Sequence, residues 1–308
     1  VAQNAFMLSS ARVIIGIASG LISTSGMMGM LQTSPLPNEG QTARWYAALN
    51  GLGFGMGPLI GGVVAQISGG SIILPYLPVI ALTAVALYQM WRIPFHAPSA
   101  PKPLDFKPRL ALPAAGLARQ QFYLAAGGAF AAFAMFSLYA SLAGSFIAEF
   151  LPWHGPVISG AAIALVLFLS SATQLGLRRL SLAHAYAAAT VMILIANVML
   201  VLTLNLHSMV LFGLSVIATA MAHGLTLMAG FGKVQEVTTR HNRAAVVSTF
   251  LVSGYFGAIM PVIVLGWLAD HLGVSRAVII YCSAFGLWAI ALFSGFVQLK
   301  RRQRVQTA

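Results

Sequence analysis

Gly53-Phe54-Gly55-Met56-Gly57-Pro58-Leu59-Ile60-Gly61-Gly62 lies inside an apolar run that extends from about 45 to 67. Five glycines and a proline in ten residues would weaken a helix in water. In lipid the same residues read differently. Backbone groups must pair within the segment, and helix packing relies on small residues. Missing Cβ atoms let another helix backbone approach closely, while Pro58 frees a backbone carbonyl and bends the helix. The rest of the chain decides the solvent. Of 308 residues, 59% are apolar and only 7% are charged. Mean hydropathy is +0.87. A soluble domain carries roughly a quarter charged residues. A soluble enzyme, a nucleic-acid-binding domain and a disordered chain are therefore excluded. Long continuous apolar runs also exclude a β-barrel, whose strands would alternate. The expected fold is an all-α polytopic membrane protein.

Outward from this stretch, nine spans are expected, at 8–31, 45–67, 71–91, 121–149, 156–177, 182–205, 207–231, 245–269 and 274–298. Polar punctuation separates them, as in Thr33–Gly40, Leu151–Pro156 and Thr238–Arg243. The longest polar stretch, from Arg92 to Arg119, contains six prolines and reads as a linker between two membrane halves. The expected division is a first half over 1–92, a central cytoplasmic loop over 93–118 and a second half over 119–308. The net charge of +12 comes from basic residues in short loops, so no nucleic acid or other polyanionic partner is expected. Alternate loops and the tail hold fifteen of the 17 Lys and Arg residues, against Arg276 on the opposite side and Arg12 within a span. This bias implies a cytoplasmic C-terminus in a plasma membrane, with a bacterial inner membrane expected. The one cysteine, Cys282, allows no internal disulfide.

Nine spans ending inside begin outside. With no leader and no initiator Met, the expectation is a chain lacking an odd number of preceding spans. An internal repeat points the same way. At an offset of 204, Gly20, Leu21 and Gly26 fall on Gly224, Leu225 and Gly230. Gly62, Ala65 and Gly69 fall on Gly266, Ala269 and Gly273, and Pro58 meets Pro261 at 203. Spans one to three then correspond to spans seven to nine, and three spans are expected to be missing from a six-plus-six protein.

Twelve spans in two halves joined by a long cytoplasmic loop resemble the major facilitator superfamily. Gly53, Gly57, Pro58, Gly61 and Gly62 match the G-x3-G-P-x2-G-G end of its fifth-helix antiporter motif; Arg44 stands where the motif has a further glycine. Arg12-Val13-Ile14-Ile15-Gly16-Ile17-Ala18-Ser19-Gly20 resembles its fourth-helix motif, with Ile15 replacing a polar residue. The resemblance covers the whole chain as family helices four to twelve. It implies alternating-access transport of a small organic solute, with proton-coupled efflux suggested by the drug/proton antiporter branch. The alternatives are a facilitator or symporter importing a metabolite or organic anion, and a non-transporting membrane scaffold.

Candidate substrate or coupling residues are Arg12, Asn50, Tyr139, His223 and Tyr255. Arg12 lies about 7 Å into its span at 1.5 Å per residue, where a guanidinium needs a partner, a wet cavity or a route to the interface. The family resemblance links it to coupling. His223 is an intramembrane imidazole that either binds solute or carries a proton, or is simply hydrogen-bonded in the bundle. Phe130, Phe133, Phe136 and Tyr139 form an i, i+3 stripe that either lines a cavity or packs. Asn50, Gln174, Asn197 and Tyr255 are uncharged polar groups in spans. No Asp or Glu lies near the middle of any span. No metal-ligand spacing, nucleophile elbow or phosphate loop stands out, so no metal, no cofactor and no enzymatic activity are expected. The expected partners are lipid, a small solute and protons, with the chain a monomer.

Overall fold

The computed structural model describes residues 4–36, 38–69, 71, 73–93, 110–150, 155–239 and 241–307, with side chains described except at 5, 142–150 and 304–307. Much of the expected central loop (94–109), loop residues 151–154 and Arg240 lie outside this description, as does the side chain of Glu149. Among the described residues all regular structure is helical. The elements are α1 (Ala5–Thr33), α2 (Glu39–Ile67), α3 (Tyr76–Arg92), α4 (Leu117–Phe150), α5 (Pro156–Gly176), α6 (Leu182–Leu206), α7 (Met209–Val237), α8 (Arg243–Leu272) and α9 (Val274–Thr307).

Eight of these helices are long and apolar enough to cross a bilayer. The protein is a multi-pass helical membrane protein. The ninth expected span, 71–91, starts later than expected, at Tyr76, and is shorter than the others. Its helix α3 has only 17 residues. At 1.5 Å per residue it reaches about 25 Å, short of a hydrocarbon core of about 30 Å. The reason is local. Ser71 Oγ accepts from the backbone N–H groups of Ile73 and Leu74, both at 3.3 Å, in a turn that Pro75 closes before α3 begins.

α7 forms the centre, packed against α6, α4, α5 and α2. The most extensive single pairing joins α2 to α5. Among the described residues α1 touches only α2 and α8, and α3 touches only α2, so both present apolar faces outward. One apolar core joins α4, α6, α7 and α9 through Met135, Leu138, Ile193, Leu200 and Phe285. A second brings Met27 and Tyr46 of the first half against Phe122, Phe231 and Phe250 of the second. In lipid such contacts gain packing rather than escape from water, so close fit matters more than apolar area.

The 204-residue offset reappears in the helix ends. α1 and α7 each have 29 residues, and both their ends differ by that offset. Asn4 and Ser208 cap them in the same way, each accepting from the backbone N–H three residues on. α2 and α8 start at equivalent residues, Glu39 and Arg243, each preceded by an Asn, although only Asn38 caps its helix through its side chain. Gly69 and Gly273 follow them with φ of 65° and 82°, a backbone conformation that suits glycine. Packing repeats too. Gly26 lies against the Tyr46 ring, and its equivalent Gly230 lies against Phe250, the equivalent of Tyr46. α1 packs on α2 and α8, while α7 packs on α8 and α2. The helix pairs thus exchange partners in register with the sequence repeat. Glu39 and Arg243, equivalent positions of that repeat, also pair directly, at 2.8 Å.

Candidate functional site

The neighbouring pair His223–Gly224 on α7 sets the geometry. A Cβ at Gly224 would overlap the backbone of Ser170 on α5, so the two helices touch main chain to main chain. That approach brings the imidazole within reach: His223 Nδ1 lies 2.9 Å from Ser170 Oγ. Gln174, one turn further along α5, donates from Nε2 to the same hydroxyl at 3.4 Å. His223 is 3% exposed and Gln174 1%. The Gln174 Oε1 atom is buried without a hydrogen-bond partner.

Aromatic rings from α4 close over the imidazole. Phe133 and Phe136 have ring centroids 5.2 and 5.6 Å from that of His223. Phe133 also meets Tyr255 of α8 edge to face at 5.9 Å, and Gly254 leaves room for its ring. Ser171 donates to the Ala48 carbonyl at 2.9 Å, and Gly51 accommodates that hydroxyl, which carries the site across to α2. Four helices of the second half and one of the first therefore converge on a small polar chain, Gln174–Ser170–His223, walled by phenyl rings. It offers one ionisable nitrogen base, a hydroxyl that donates or accepts, and a spare carbonyl acceptor.

Of the expected candidates, His223 and Tyr255 share this cluster through Phe133. Tyr139 does not. Its hydroxyl bonds Ser215 Oγ at 2.8 Å, and its ring is buried in the core of α4, α6, α7 and α9. Ser215 lies eight residues from His223 on α7, about 12 Å along the axis. Phe130 likewise turns toward α9, stacking on Phe285 at 5.9 Å. Asn197 donates to Ile193 O of its own helix at 2.7 Å. Asn50 is half-buried on α2, and Arg12 is exposed on α1.

The motif residues divide by face. Pro58 and Gly62 meet Gly160 and Pro156 of α5, with contacts that a Cβ at either glycine would fill. Gly53, Gly57 and Gly61 have open space where a Cβ would go. Gly51 and Gly55 complete the seam against Ser171 and Phe168. Ser170 and Gly160 are the positions of this arrangement that single-residue signals miss. The i, i+4 pairing of Ser170 with Gln174 in an apolar span is the sign that was available. Among the described residues no group of three His, Cys, Asp or Glu side chains is placed to hold a metal. Comparison with protein-family models, curated proteins and solved structures finds no match.

Proposed function

We propose that this chain belongs to a secondary transporter of the major facilitator type, in which two six-helix halves carry a small organic solute by alternating access, with efflux driven by proton entry. In this reading α1–α3 are family helices four to six and α4–α9 are helices seven to twelve. The observation that carries it is the reciprocal packing of α1 and α2 with α7 and α8, with Glu39 and Arg243 paired at equivalent positions. A scaffold has no need of pseudo-symmetric halves meeting along a smooth seam. A transporter does, because rocking one half against the other exposes a midplane site to each side in turn.

The α2–α5 seam supplies the bearing. Its small residues present backbone to backbone, with few side chains to interlock. In this reading the coupling proton is carried either by His223, the ionisable side chain of the cluster, or by a carboxylate on the three helices expected to precede α1. Ser170 holds the imidazole, and Gln174 holds Ser170. Phe133, Phe136 and Tyr255 contact an apolar or aromatic solute. Import of an organic anion, with Arg12 as a ligand, is less well supported, because Arg12 lies on an exposed face of α1.

The test is solute flux in vesicles reconstituted with the full-length protein, including the helices expected to precede α1, with and without an imposed pH gradient; the 308-residue chain alone should not transport. Gradient-driven efflux is the expected result, and its loss in His223→Ala would place the coupling proton on that imidazole. Flux indifferent to the gradient would leave a facilitator, and no flux for any organic solute would leave the scaffold.

A further inference from the structure

We propose that the basic end of the α2–α5 seam is a binding site for a phosphate group, carried by an anionic phospholipid or free in solution. Arg44 stands in the second turn of α2, and Arg178 and Arg179 lie in the turn between α5 and α6. With Gln41, Trp45 and Gln174 they line a cavity of about 590 Å³ that has no Asp or Glu in its wall. The adjoining cavity, about 480 Å³, shares Arg44 and Gln41 but includes Glu39 and Glu236. The charges are thus sorted: one space has carboxylates, and the other gathers three guanidinium groups without one.

The backbone holds one of these guanidinium groups in place. Arg44 donates through one terminal nitrogen to the Arg178 carbonyl, which fixes its guanidinium across the seam. Its Nε is buried with no partner. Orphan donors of this kind are rare in folded proteins. Gln174, almost wholly buried, also lines the cavity. Phosphate oxygens accept from forked guanidinium groups in the geometry arginine presents, and they offset the mutual repulsion of three cations. Trp45, half-buried beside them, is a residue type that settles at a lipid headgroup boundary. Because Arg44 comes from one half and Arg178 and Arg179 from the other, an occupied site would pin the seam at this end. The proposal does not depend on transport.

The experiment is thermal unfolding of the purified chain in neutral detergent at constant ionic strength. Dioctanoyl-phosphatidylglycerol, dioctanoyl-phosphatidylcholine and inorganic phosphate are each titrated, with sodium chloride as control. A rise in midpoint with phosphatidylglycerol alone assigns a lipid headgroup; a matching rise with inorganic phosphate assigns the free anion. Arg178 and Arg179 are exposed, so the double variant Arg178→Gln/Arg179→Gln spares the packing and should weaken the response at least about tenfold. Arg301→Gln/Arg302→Gln removes the same charge from α9 and should keep it. Failure of both anions to raise the midpoint above the phosphatidylcholine and chloride controls overturns the proposal. So does a response equal in the two double variants.

Discussion

At the scale of single residues, His223 and Gly224 depend on each other. The glycine lets α7 reach the Ser170 backbone, and the histidine uses that approach to bond the Ser170 hydroxyl. Gly224→Val should therefore cost about 1–3 kcal/mol through overlap alone, while Ser170→Ala should cost about 1 kcal/mol from lost hydrogen bonding. Unfolding midpoints in detergent check both, and the order reverses if the hydrogen bond rather than the helix approach sets the geometry. Tyr139→Phe is the contrasting case. It should lose about 1 kcal/mol, because Ser215 keeps its bond to the Phe212 carbonyl at 2.6 Å, and solute flux through the full-length protein should be unchanged. A large flux defect would return Tyr139 to the site. His223 is legible in the sequence because an imidazole inside a span is rare and costly. Its partner is not, since the rotation of α5 about its own axis decides whether Ser170 or a lipid-facing neighbour meets it.

At the scale of elements, the apolar runs make eight spans readable, since only a continuous helix satisfies its backbone in lipid. The start of α3 is hidden because Ile73 and Leu74 are as apolar as the helix they precede; a hydroxyl and a proline ring, not hydropathy, end the run there. The glycine-rich stretch of α2 announces close packing, but not which face packs. The facing residue, Gly160, is about a hundred positions away and carries no mark of its partner. That division yields a prediction. Gly160→Val would drive a side chain into the Pro58 carbonyl and should cost about 1–3 kcal/mol. Gly57→Ala faces open space and should be neutral or slightly stabilising, by up to about 1 kcal/mol of helix propensity. Midpoints measured side by side decide this. Comparable losses at the two positions would mean that a further helix covers the outer face of α2.

At the scale of the whole molecule, the pairing of equivalent residues places Glu39 and Arg243 where relative motion of the halves is most easily felt. The ion pair itself is worth little, because the Glu39 side chain is 45% exposed and solvent screens it. Its value is as a position marker. If the halves rock about the α2–α5 seam, the starts of α2 and α8 must separate whenever this end opens. A covalent tie between them should hold the protein in one state and stop turnover without unfolding it. The native Cys282 is buried in the core of α4, α6, α7 and α9, so it leaves an introduced pair free to react selectively. In the full-length protein Glu39→Cys with Arg243→Cys, joined by a short cleavable crosslinker, should abolish flux, and cleavage of the linker should restore it. Each single variant treated alike should transport normally, which separates the effect of the tie from that of the lost ion pair. Crosslinking should also slow when a solute or pH gradient draws the protein into the state open at this end, because the two thiols then lie apart. Full flux through the tied protein would mean that the halves do not move against each other here, and the alternating-access reading would fail together with the rocking seam.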